Sequence, residues 1–485
     1  MNLFATKPVT RILQESEIVG EHSLKRSLGP SALIALGIGA IIGAGIFTLT
    51  GVAAATNTGP AIVLAFIGAA IGCGLAGLCY SEFSSMIPIA GSAYTYAYAT
   101  MGELLAWIIG WDLVLEYAVG AATVSIGWSQ TLIALLHDFG IHLPPSLVAS
   151  PFQPVMLPDG QAISGIINLP AVFIVIVVSV ILIIGIRESA TTNSIIVFLK
   201  VAVVIVFIAV GWKFINPANH EPLIPVNAGH FGEFGWSGIL AGAGLIFFAY
   251  IGFDAVSTAA QEAKRPSRDM PIGILGSLVI CTILFILYSW VLTGVVNYKD
   301  LNVAAPLTLA LARIPYPWLS PLMNLAVLFG LTSVMLVMLL GQSRVFYSMS
   351  NDGLLPKLFS DVHPKFRTPW RSNLVLMVFV GLFSAFAPIS VVGKMTSIGT
   401  LLAFVLVCGG VMIMRKTHPD MPRPFKTPLV PLVPILGVLC NFLLMLGLGW
   451  SNWARLVVWL VIGFVIYFTY SRYHSRLQAG ADKTR

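Results

Sequence analysis

Polar residues in this chain gather in short clusters between long apolar stretches, and that spacing is the strongest signal along it. A helix needs roughly 20 consecutive apolar residues to cross a bilayer. Twelve stretches qualify, at about 31–56, 60–87, 104–135, 168–186, 192–212, 236–260, 271–296, 317–347, 372–388, 391–414, 428–449 and 452–472. They predict an all-α integral membrane protein with twelve transmembrane helices and short connections. The longest connection, about 136–167, is rich in Pro and Ser and reads as an extracellular cover rather than a catalytic unit.

Composition agrees with the pattern. Of 485 residues, 57% are hydrophobic and 10% charged, against about 25% charged in soluble domains. A mean hydropathy of +0.90 is more apolar surface than a soluble core hides, so the bilayer is the solvent. Cys73, Cys79, Cys281, Cys408 and Cys440 all sit inside apolar stretches, without metal or disulfide spacing, and read as helix-packing residues.

Charge then orients the chain. The net charge of +7 would suit nucleic acid, but its placement at the ends of apolar runs fits membrane topology instead. Of 27 Lys and Arg residues, Lys200 lies within the fifth stretch, and Lys213, Lys299, Arg313, Lys394 and Arg455 fall on one side. The other 21 fall on the opposite side, which predicts both termini in the cytoplasm. The polar first thirty residues carry no cleavable signal peptide. The loop at 88–101 has no basic residue and takes its side from its neighbours.

No zinc-protease, phosphate-loop or Gly-x-Ser-x-Gly motif occurs, so neither an enzyme nor a nucleotide-driven pump is indicated, and no cofactor or metal is called for. Transport would draw on an ion gradient.

Glycine marks where helices break. The first stretch holds Gly37, Gly39, Gly43 and Gly45 within nine residues, each costing about 1 kcal/mol relative to Ala inside a helix. Close helix packing explains this, as does unwinding at Gly43–Gly45; the segment alone leaves both open. The sixth stretch is again Gly-rich (Gly238, Gly242, Gly244, Gly252) and ends in Phe253-Asp254. Interruptions at matching places in two halves point to a transporter site. The halves are taken as 31–213 and 236–414, five helices each, with 428–472 as two additional helices, 1–30 as a cytoplasmic segment and 473–485 as a cytoplasmic tail. The repeat follows from span order, not from identity.

Free N–H groups at Ala44 and Gly45, beside Gly43, would meet a carboxylate. Unpaired carbonyls at Ile41, Phe248, Ala249 and Ile251 would receive an ammonium group. The Phe248 ring is either a thin gate or core packing. Lys200, too deep to snorkel easily, is either a proton-carrying switch, because burial disfavours its charge, or a static tie on broken backbone. Glu116 is a second titrating group, a cavity-wall acceptor or a hydrogen-bonded helix residue. Asp112 reads as structural, and Glu82, Asp254 and Glu262 as partners of Arg or Lys.

These residues resemble a known family. Gly37-Ile38-Gly39 through Gly45-Ile46-Phe47, Phe248 through Asp254, Glu262-Ala263-Lys264-Arg265-Pro266 and Met270-Pro271-Ile272-Gly273-Ile274 are similar to the amino acid–polyamine–organocation superfamily. Ser343-Arg344-Val345-Phe346-Tyr347 and Asp352-Gly353-Leu354-Leu355-Pro356 narrow the resemblance to bacterial members of its cationic amino acid transporter family, over about 24–476. The resemblance implies a 5+5 inverted repeat with discontinuous helices 1 and 6. It also implies carboxylate binding at Ala44 and Gly45, ammonium binding at the Ile41, Phe248 and Ile251 carbonyls, and proton coupling through Lys200 in place of sodium. Met338 falls where cationic-substrate members carry a small residue, so neutral amino acids such as alanine are expected over arginine. A bacterial cell membrane, lipid and proton partners, and room for a small accessory membrane subunit complete the expectation. An exchanger on the same fold and an amino-acid-binding sensor are the rival functions.

Overall fold

The computed structural model describes residues 3–8, 28–87, 92–152, 154–156, 162–185, 190–258, 260, 263–303 and 305–482. Glu262, Arg187 and most of the 1–30 segment lie outside them. The described residues form a helical bundle. Eight of its helices are long and apolar enough to cross a membrane, and four shorter apolar helices accompany them.

The chain opens with α1 (Pro30–Ile41), started by Pro at its first position, where the missing N–H costs nothing. After a break and further helical turns to Thr58, Gly59 turns with φ +61 and Pro60 restarts the chain as α2 (Ile62–Met86). The 88–101 segment, read above as a loop, contains helix α3 (Ser92–Thr100). Its Tyr94, Tyr96 and Tyr98 are buried, and packing of those rings outweighs the segment's weak apolar pattern. Next come α4 (Glu103–Val114), a π-turn at Leu115–Val119 and α5 (Gly120–Asp138), forming one long rod.

The expected cover after α5 holds a small antiparallel hairpin, β1 (Pro154–Met156) with β2 (Ala162–Ser164), Val155 opposite Ile163. Asn168 caps α6 (Leu169–Ile184) through the Ala171 N–H at 3.2 Å and accepts from Ser129 at 2.6 Å, tying the cover to α5. Then follow α7 (Ala190–Gly211), α8 (Gly235–Ile246), α9 (Pro266–Val295), α10 (Leu319–Asn351), α11 (Trp370–Phe386), α12 (Ile389–Thr417), α13 (Leu432–Gly447) and α14 (Trp450–Ile466).

The core gathers on the broken segments. Helix α9 packs on both α1 and α2, α10 on α5 and α7, and α12 on α2 and α13. Helices α6, α13 and α14 turn Phe173, Leu439, Val458 and Val461 outward, each more than half exposed, as lipid-facing helices do. At one end of the bundle, Glu82 accepts from Arg415 at 2.8 Å and from the Thr427 N–H at 2.8 Å, joining α2 to the end of α12. At the same end Lys7 pairs with Asp352 at 2.7 Å.

Candidate functional site

Helix α1 stops because its hydrogen-bond ladder stops. The Ile42 N–H still reaches Ile38 O at 2.9 Å, but Ile42 itself is extended, with φ −73 and ψ 103. Neither the Gly43 nor the Ala44 N–H finds an acceptor among the described residues. The chain then resumes as a π-turn over Gly45–Leu49, followed by a short helix, Thr50–Ala53. A helix end leaves its last carbonyls without intrahelical partners, and with Ile38 O taken by Ile42 those here belong to Gly39, Ala40 and Ile41.

The sixth stretch breaks in a matching way. Helix α8 tightens into a 3-10 turn at Phe247–Tyr250, Ile251 is extended, and Gly252 takes φ +117 before Ala255–Thr258 resumes as helix. Only glycine adopts that backbone without strain. The expected free carbonyl at Phe248 is corrected here: it accepts the Ile251 N–H at 3.2 Å, because the 3-10 turn closes on itself. Its oxygen keeps one lone pair.

The two breaks touch each other. A methyl group at Gly45 would overlap the Ala249 backbone, and a Cβ at Gly252 would lie 2.8 Å from the Ala40 carbonyl. Ile41, Gly43, Ala44, Gly45, Phe248, Ala249 and Ile251 are all buried together. The Phe248 ring is 3% exposed.

Lys200, on α7, reaches this junction. Its ammonium donates to Gly39 O at 2.6 Å, one of the carbonyls released where α1 ends. That is also the negative end of the α1 dipole. Gly330 of α10 makes room for the lysine stem, since a Cβ there would come 2.9 Å from Lys200 Cγ. The side chain is 1% exposed.

Other expected residues fall into a neighbouring polar group. Glu116, in the π-turn between α4 and α5, is wholly buried beside Asp254 and Thr400. The basic partner expected for Asp254 is replaced by Tyr117, whose hydroxyl donates to Asp254 Oδ2 at 2.8 Å. Tyr117 is next to Glu116 in the sequence, and only the bundle brings its hydroxyl to the broken sixth stretch. Met338, on α10, points at α5: a Cβ at Gly120 would stand 3.3 Å from its sulfur and 3.4 Å from Thr396 of α12. Met338 therefore sits where α5, α10 and α12 meet, and Thr396 is a neighbour there that the sequence reading did not single out.

The arrangement presents free amides, free carbonyls and one buried ammonium at a single junction. Comparison with known proteins identifies the family. Residues 28–469 match the family described as amino acid permease. The chain is 46% identical over 462 residues to the branched-chain amino acid permease BcaP of Bacillus subtilis, covering 94% of this chain and 96% of that one. It is 40% identical over 476 residues to the methylthioribose transporter of the same organism, covering 98% and 99%. It is also 33% identical over 402 residues to the vacuolar cationic amino acid transporter 4 of Arabidopsis thaliana, covering 83% of this chain and 65% of that one. With apolar helices long enough to cross a membrane several times and relatives that are permeases and transporters, the chain is a multi-pass membrane transporter, not an enzyme, and it belongs to the amino acid permease family of the amino acid–polyamine–organocation superfamily.

Proposed function

We propose that this protein imports neutral aliphatic amino acids together with protons, by alternating access around the two broken helices. The substrate carboxylate meets the amides of Ala44 and Gly45 beside Gly43. The ammonium meets the carbonyls of Ile41 and Ile251 and the remaining lone pairs of Phe248 and Ala249. Met338 shortens the side-chain end of the pocket, and Glu116 borders it. Lys200 is the proton-coupling group: neutral, it releases Gly39 O; charged, it holds it.

The observation that carries this reading is the contact of both breaks at one spot, with a buried lysine on the carbonyl that the first break frees. The proposed architecture is twelve crossings in two five-helix repeats plus α13 and α14, in a bacterial cell membrane with both termini cytoplasmic. The name of the 46% identical relative adds branched-chain substrates to alanine.

Uptake of labelled alanine, leucine and arginine into proteoliposomes, with and without an inward pH gradient, tests it. Gradient-driven accumulation of alanine or leucine that Lys200→Ala abolishes is the expected result. Uptake that needs internal amino acid and ignores the gradient would make the protein an exchanger. Because one relative carries the name of a thiosugar transporter, methylthioribose belongs in the same assay as a competitor. A sugar has no ammonium–carboxylate pair for the two breaks, so it should leave alanine uptake unchanged.

A further inference from the structure

One cluster of charge takes no part in the transport site. Bilayer proteins keep few Lys and Arg residues on the extracellular side, and two of the five assigned there, Lys394 and Arg455, lie on helices that pack together. Lys394 sits on the second turn of α12 and Arg455 on the second turn of α14. The two helices pack against each other, with one cation on the second turn of each. Like charges repel more strongly as water is withdrawn. Arg455 donates to the neutral Asn452 Oδ1 at 2.6 Å. Among the described residues no carboxylate lies within ion-pair distance of either cation.

Next to these cations is a cavity of about 310 Å³ lined by Met395, Ala454, Arg455, Val458, Trp459 and Ile462. Positions 455, 458, 459 and 462 share one helical face that descends from the charged end toward mid-membrane. The floor is rigid: the Trp459 and Trp111 rings stack at 4.5 Å, and each indole N–H donates to the other's carbonyl, at 2.9 and 3.2 Å. The outer wall is open to the bilayer, with Val458 59% and Ile462 45% exposed.

We propose that this groove binds an anionic phospholipid, its phosphate between Lys394 and Arg455 and one acyl chain along Met395, Val458 and Ile462. Two unpaired cations above an apolar trough match a negative head on an apolar tail. A zwitterionic lipid would bring a third positive charge to the same spot. The transport reading enters only in assigning the lipid to the outer leaflet. Immediately beyond Met395, Thr396 packs at Gly120 and the Ser397 hydroxyl donates to Leu245 O at 3.4 Å. A lipid held here therefore steadies the part of α12 that lines the broken segments.

The test is native mass spectrometry and thermal melting of the full-length protein in detergent, with phosphatidylglycerol, phosphatidylcholine or inorganic phosphate added. Phosphatidylglycerol should stay bound and raise the melting temperature, and the other two should not. Replacing both cations (K394Q with R455Q) should weaken phosphatidylglycerol binding about fivefold for each cation, and so about 25-fold for the pair. Lys299→Gln, away from the groove, should change nothing. If the double variant does not fold, Val458→Glu places a carboxylate on an already exposed face and should expel the lipid in the same way. Equal retention of phosphatidylcholine, a full shift from inorganic phosphate alone, unaltered affinity in the double variant or in Val458→Glu, or a bound small membrane protein in place of lipid would each overturn the proposal.

Discussion

The Lys200 ammonium donates to Gly39 O at 2.6 Å. A charge on the fifth apolar stretch thus takes the place of the backbone N–H that Gly39 loses when α1 stops. The bond joins the end of a half-helix to a side chain from a distant part of the chain, and the packing of Gly330 on the lysine stem allows little room to move it.

Replacing Lys200 with Ala should therefore do two separable things. Proton-driven uptake should fall to background, and the Gly39 carbonyl, left buried without its donor, should cost about 1–3 kcal/mol of stability. Uptake in proteoliposomes and melting in detergent measure the two effects. Full uptake by the variant would remove Lys200 from the mechanism.

Gly45→Ala should wedge the two breaks apart, because the new methyl group overlaps the Ala249 backbone. A destabilisation of about 1–3 kcal/mol from overpacking, with loss of substrate binding, is expected. Gly74→Ala and Gly409→Ala, where a Cβ meets nothing within 4 Å, are the controls and should transport normally. If Gly45→Ala transported as well as they do, the direct contact of the breaks would be irrelevant to function.

Met338→Ala should lengthen the pocket at the wall shared with Gly120 and Thr396. Uptake of labelled arginine should rise relative to alanine, at a stability cost of about 2–5 kcal/mol from the space left behind. An unchanged arginine-to-alanine ratio would show that another residue sets the length of the pocket.

The loop before α8 contains a pH-sensitive contact. His220, on the short turn Pro217–His220, bonds Trp290 O and the Thr293 hydroxyl at 3.2 Å each. Desolvation holds its imidazole below the usual value of 6.5. Above that value the histidine is neutral in both folded and unfolded chains and adds no pH dependence. As pH falls below 6.5 the unfolded chain takes up the proton first, so stability drops until the folded protein also titrates. Melting temperature between pH 7.5 and 5 should show this decline, and His220→Asn should flatten it. A decline of the same steepness in the variant would assign it to other groups.

Much of this protein was legible from its residues alone. Apolar length placed the helices of the bundle to within a few residues, and eight of those described are long and apolar enough to cross a membrane. Glycine density marked both breaks, and Lys200 stood out because a charge in that setting needs a reason. What failed or was missed depended on partners from elsewhere in the chain. Residues 92–100 lack a helical apolar pattern and form α3 because the surrounding bundle buries their tyrosines. Asp254 was assigned a basic partner and bonds Tyr117 instead. The Phe248 carbonyl, expected free, is used by the Ile251 N–H through a 3-10 turn whose tightness the sequence does not encode. The bare sequence determined which segments are apolar enough to form helices of a membrane bundle and where their ladders weaken, because both are properties of consecutive residues. Only the tertiary structure decided that Gly45 meets Ala249, that Lys200 finds Gly39 and that the helices of Lys394 and Arg455 pack together, because each depends on how distant parts of the chain pack.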